Sequence, residues 1–289
     1  MTFHSGHFKL DLRQTIKLVV YTLLLVNYVL YIADDLRVAS YTMRNGGTFL
    51  QWTGSFATTI DETAWFALLV LFELETYALT DELQSRPAVR WLFHGIRLVC
   101  YVSLMHTLYA FGTFYYDLLQ VTTIANATDL CQLADQDISF VRNLAYTDVS
   151  SANCGSLSSD KQFHFTEPDL VVTDSSGLAL EQNLARVDII EAIVWMLILF
   201  TIEVMVWLQD RAITRGTLIT CIKACKFALY GFLWLAAVYW ALLGHYYFAW
   251  DEAVWIVGFF AIEMNVAEWK KDIEKNAGAS TGPSLEQIA

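Results

Sequence analysis

Proline is almost missing from this chain: three residues in 289, Pro87, Pro168 and Pro283. None interrupts a long apolar run, which counts against the broken-helix design that many transporters use to expose backbone at the membrane midplane. Charge is scarce, at 17% Asp, Glu, Lys and Arg, and basic residues number 18 against 30 acidic ones. The net charge of −12 is the wrong sign for a nucleic-acid surface. Motifs with their own chemistry are missing as well. The chain has no Walker loop, Gly-x-Ser-x-Gly elbow, Thr-Val-Gly-Tyr-Gly filter, His-rich box or regularly spaced arginine series. It is therefore expected not to be an enzyme and to carry no cofactor. Cys221 and Cys225 share a helix face, but no further Cys or His pair joins them, so no metal site is expected.

Apolar residues are abundant instead, at 56% hydrophobic and 15% aromatic, with mean hydropathy +0.41. Soluble domains hold about 45–50% apolar residues even with glycine counted. Several runs reach the ~20 residues that a helix needs to cross a bilayer. Backbone in lipid has no water to bond to, so spans are helices or closed barrels, and no alternating barrel strands are visible. The predicted fold class is an all-α integral membrane protein with six transmembrane helices, at roughly 13–33, 62–80, 91–117, 189–209, 219–248 and 252–270. The first is read as a retained span rather than a signal peptide. Asp34-Asp35-Leu36-Arg37 follows it where a small-residue cleavage site would stand.

Basic residues near the helix ends set the orientation. Thirteen of the 18 Lys and Arg fall on one side, which is therefore predicted to be cytoplasmic, with both termini there. A plasma or bacterial inner membrane is the expected location. The other side carries eighteen carboxylates against five basic residues, a field that attracts cations. Among those carboxylates, Asp61, Glu62, Asp251 and Glu252 are read as residues that open helices and satisfy their N-termini. The segment 118–188 is polar and is predicted to be an extracytoplasmic loop between the third and fourth helices. In an oxidising compartment its Cys131 and Cys154 are expected to pair, while Cys100, Cys221 and Cys225 stay free. Leu170-Val171-Val172 reads as a short strand, Asn27 as a bond to a neighbouring helix, and 276–289 as a disordered cytoplasmic tail.

The chain also resembles itself. Three odd-numbered helices open alike, at Ile16-Lys17-Leu18, Ile96-Arg97-Leu98 and Ile222-Lys223-Ala224. Three even-numbered helices share Trp-x7-Glu, from Trp65 to Glu73, Trp195 to Glu203 and Trp255 to Glu263. An acidic residue precedes each Trp, at Glu62, Glu191 and Glu252. The six-helix bundle, 1–270, thus reads as three two-helix repeats, roughly 13–80, 91–209 and 219–270. Each deep glutamate lies eight residues past its Trp, about 12 Å along the axis. An ionisable group at such depth costs about 2.5–3.5 kcal/mol on insertion scales and is a functional candidate by default.

Two function classes follow. In the first, Glu73, Glu203 and Glu263 line or gate a path for a cation or proton-coupled solute, with Lys17, Arg97 and Lys223 as counter-charges in a channel or carrier. In the second, the same charges clamp the helices of a non-transporting scaffold, sensor or accessory subunit whose outer loop binds a partner. The expected contacts are the lipid bilayer, a cation or small solute, and a second copy or a partner membrane subunit; nucleic acid is excluded.

Overall fold

Helix α1, Leu12–Thr42, continues nine residues beyond the apolar run that announces it. Nothing in Asp34-Asp35-Leu36-Arg37 breaks a helix, and Arg37 pairs with Asp34 one turn back at 2.7 Å. The chain leaves the helical path only at Gly46, whose φ of +74° is open to glycine. This is a computed structural model; it describes residues 12–75, 83, 86–125, 127–211, 213 and 216–260. Glu263, the tail 276–289 and the second half of the predicted helix 252–270 lie outside the described residues.

The helices that follow are α2, Phe49–Ser55, α3, Ala57–Glu73, and α4, Pro87–Leu119. Thr48 and Gln51 form a reciprocal capping box at the start of α2. Pro87 stands in the first turn of α4, where its missing N–H costs nothing. After the outer segment come α6, Ser175–Asp210, α7, Thr217–Leu242, and α8, 246–260. The predicted fifth helix, 219–248, is in fact divided. Gly244, at φ +87°, ends α7 and donates its amide to the Ala241 carbonyl, and the chain is helical again from 246 rather than 252. Among the described residues, four helical segments are long and apolar enough to cross a membrane: Lys17–Thr42, Pro87–Leu119, Ser175–Leu208 and Thr217–Leu242. The pair α2 and α3, bent by 70°, makes a fifth if counted together.

The segment between α4 and α6 folds around a sheet, where the sequence had shown only a polar loop with one short strand. Strands β1, Thr122–Thr123, β2, Ser139–Arg142, β3, Ala145–Asp148, β4, Phe163–Glu167, and β5, Val171–Asp174, lie in the order β1-β4-β5-β2-β3. All neighbours are antiparallel except β2 and β5. Asn143 and Leu144, both at positive φ, make the tight β2–β3 turn. Leu130, Leu133, Phe140, Phe163 and Val172 form the core on one side of the sheet. The predicted disulfide between Cys131 and Cys154 closes over it, joining the 3-10 turn Leu130–Leu133 to the short helix α5, Cys154–Leu157.

This small domain is keyed onto the helix ends. Arg44, just past α1, bonds Asp137 at 2.8 Å and the Ser139 hydroxyl at 2.7 Å, and also pairs with Asp148. Tyr41 stacks on Tyr146 at 5.5 Å. Asp174 ends β5 and caps α6, accepting from the Gly177 amide at 2.6 Å. Gln182 of α6 donates to the last turn of α4 through the Leu118 carbonyl, and the Glu181 carboxylate accepts the Leu144 amide. The domain therefore runs into α6 without a flexible joint.

The chain divides into two units, one of residues 1–27 and 233–289, the other of residues 28–232. In the larger, α4 packs between α3 and α6. In the smaller, the described residues place α8 on the first part of α1. A Cβ on Gly258 would stand 3.2 Å from Val20, so these helices approach as closely as glycine allows.

Candidate functional site

Of the deep acidic and basic residues singled out from the repeat, Glu263 lies outside the described residues. Glu73 is half-buried near the end of α3, whereas Glu203 is exposed on α6. Lys17 is half-buried and Lys223 exposed. Arg97 forms an ion pair, and its partner is Glu75, with both side chains about a third exposed. One turn further along α4, the Tyr101 hydroxyl donates to the Glu203 carboxylate. Residues 97 and 101 share a face of α4. That face thus reaches α6 through Tyr101, and through Arg97 the turn that continues α3. The result is a polar ladder, Glu75–Arg97 and Tyr101–Glu203, across three helices.

A second set of carboxylates is buried more deeply. Glu62, Glu191 and Glu252, the acidic residues that precede the repeated Trp, are 4%, 8% and 9% exposed. They do not open helices. Asp61 and Glu62 lie in the second turn of α3, and Asp251 and Glu252 in the second turn of α8. An N-terminal capping role is therefore overturned, because the free amides lie at the first turn. Several of the carboxylates are thus withdrawn from the surface: Asp35, Glu62, Glu191, Asp251 and Glu252 are all buried.

The surroundings of these groups are specific. Within the larger unit, Asp61 accepts from the Trp65 indole N–H at 3.1 Å. Asp35 of α1 accepts the amide and the hydroxyl of Thr59 at 2.9 and 2.7 Å, fixing α1 to the start of α3. Trp65 meets Trp195 edge to face at 5.9 Å, so two of the three repeated tryptophans touch. Glu62 and Glu191 each lie one turn from that contact on α3 and α6. Within the smaller unit, Asn27, 1% exposed on α1, donates its Nδ2 to Asp251 of α8. This is the interhelical bond expected of Asn27. Trp255, the third repeated tryptophan, is 5% exposed and packs on Phe259 at 5.9 Å.

Chemically, Asp35 and Asp61 are carboxylates held by neutral donors. An amide, a hydroxyl and an indole N–H neutralise an anion less than a guanidinium does, so such groups keep the capacity to hold a cation. The small sheet domain between α4 and α6 behaves differently. Asp174 is buried, which raises its proton affinity, but Ser158, the Gly177 amide, Ser176 and Arg142 outweigh burial and hold it below the usual carboxylate range. Glu167 is pushed up to about 7 by burial, with the Asp117 charge adding to the effect. Among the described residues no cluster of His, Cys, Asp and Glu has the geometry of a metal centre.

Sequence reasoning favoured Glu73, Glu203 and Glu263 for their depth and missed the buried set. The signal was present: an acidic residue three or four places before each Trp is one helical turn away, close enough to share its environment. No family model matches the chain, no curated protein matches it, and no solved structure matches it.

Proposed function

We propose that the chain is a six-helix integral membrane protein built from three two-helix repeats, with both termini cytoplasmic and the disulfide-bonded domain outside. Its role in this reading is transport of a cation or a proton-coupled solute. The observation that carries the proposal is the pair of carboxylates, buried Asp35 and half-buried Asp61, held by the neutral donors Thr59 and Trp65 on helices that pack together. Buried ionisable groups in membrane helices are costly and mark ion or proton paths. On the cytoplasmic side the same path would meet Glu203 and Glu73, with Arg97 as the counter-charge.

A second reading is supported by the Arg97–Glu75 pair and the Tyr101–Glu203 bond, which suit clamps that hold α4 to its neighbours. The protein is then a scaffold whose outer domain binds a partner. Reconstitution in vesicles separates the two. Asp61→Asn keeps an acceptor for the Trp65 indole while removing the charge. Proton or monovalent-cation flux is expected in wild-type vesicles and is expected to fall at least about tenfold in the variant, with folding unchanged. Equal flux in the two, or none in either, would favour the scaffold.

A further inference from the structure

Helix α2 touches α3 and α4 yet buries none of its own residues. Phe49, Leu50 and Trp52 are 80%, 57% and 43% exposed. Phe49, Trp52 and Phe56 follow at three- and four-residue spacing, so they form one stripe, with Trp52 and Phe56 stacked at 6.1 Å. Gln51 and Ser55, four apart, lie on the opposite side. The chain carries no charge from Asn45 to Ile60.

Direction decides what covers that stripe. α2 is bent by 70° from α3 at a break of one residue. If α3 runs along the bilayer normal, α2 lies nearly in the membrane plane, at the end of the span that adjoins the outer domain. Trp and Phe are favoured at that boundary, where ring bodies are apolar and the headgroups are wet. The capping box at Thr48 and Gln51 lets so short a helix persist without a core of its own.

We propose that α2 is an interfacial helix, seated in the outer leaflet of the lipid bilayer through Phe49 and Trp52. It would fix the depth of α3 and so the level at which Asp61 sits relative to the headgroups. The inference rests on the reading of α3 as a span, and the test keeps the two separable.

Wild-type protein and Trp52→Phe protein are reconstituted in phosphatidylcholine vesicles brominated either near the headgroup or deep in the acyl chain. The difference between the two proteins isolates the fluorescence of Trp52. That share is expected to lose at least about half its intensity in the shallow-brominated vesicles and clearly less in the deep-brominated ones. Quenching of the total emission with no quenching of the Trp52 share would overturn the interfacial seat while leaving the spans intact, and would place a second copy or another protein on the stripe. Absence of any quenching would overturn both. A nitroxide at Phe49→Cys, compared with one at Gly54→Cys, where an added side chain meets open space, in a background where Cys100, Cys221 and Cys225 are Ser, reads the same geometry independently. Position 49 is expected to favour oxygen over a water-soluble nickel chelate and position 54 the reverse; equal access at both positions contradicts the proposal.

Discussion

Asp174 shows how one side chain can organise a junction. It terminates β5, caps α6 through the Gly177 amide, accepts from Ser158 and Ser176, and pairs with Arg142 at 3.3 Å. The turn is tight enough that a Cβ on Gly177 would lie 2.3 Å from the Thr173 hydroxyl, which is itself committed to the Val141 carbonyl. Asp174→Ala leaves several of these donors unanswered and is expected to cost about 1–3 kcal/mol. Faster amide hydrogen exchange in 163–177 would measure it. Acid acts on the same residue. A carboxyl held below its ordinary range stabilises the fold above that range, and this contribution is lost as pH falls through the lowered value. Asp148 adds to it: burial raises its proton affinity, but Ser139 and Arg44 outweigh burial. Glu167 has the opposite sign. Its folded value, about 7, lies above the ordinary 4.5, so its contribution is present at low pH and disappears as pH rises from 4.5 to 7. In Glu167→Gln the thermal midpoint of the outer domain is expected to vary less across that window than in wild type; an unchanged slope would remove Glu167 as the cause.

At the scale of elements, length explains where the sequence reading and the structure part. α6 has 36 residues, about 54 Å at 1.5 Å per residue, against a hydrocarbon core of about 30 Å. Its first turns carry Glu181 to the Leu144 amide of the small sheet domain and Gln182 to the end of α4, and the later part is the more apolar. Hydropathy therefore marked 189–209, the stretch suited to the membrane, and was silent about the helix that extends outward from it. The same holds for α1, whose final turns hold Asp35 and lead to Arg44. In the outer domain the strands are short, four or five residues apart from β1, and their alternation is too brief to read from pattern alone. The disulfide was legible because only two cysteines lie in that segment. Replacing Cys131 and Cys154 by Ser removes a cross-link between residues 23 apart and is expected to cost about 3 kcal/mol by loop entropy. The midpoint shift in urea of the outer domain would measure it, and should vanish when wild type is reduced.

At the scale of the molecule, the apolar helices show most of their surface outward. Only 11% of the most apolar window of α4 is buried within the chain. Lipid or a partner protein must cover the rest, and the internal cohesion of the helices rests more heavily on polar ties such as Arg97–Glu75 and Tyr101–Glu203. The first can be measured as a coupling. Arg97→Gln and Glu75→Gln are each expected to lower stability in detergent, and together by less than their sum, with a coupling of about 0.5–3 kcal/mol. Exact additivity would show that the pair does not hold α3 to α4.

The sequence by itself determined what depends on composition and local order: the apolar helices, the cysteine pair and the repeated Trp and Glu positions. Tertiary structure decided which charges meet. Arg97 had carboxylates within reach on more than one neighbouring helix, and it is the packing of α4 between α3 and α6 that pairs it with Glu75 and turns Tyr101 to Glu203. Periodicity fixes the face on which a residue stands, but not the neighbour that face is given. Burial of Asp35, Glu62 and Glu191 likewise follows from helices that approach one another across long stretches of chain, a relation no local spacing encodes.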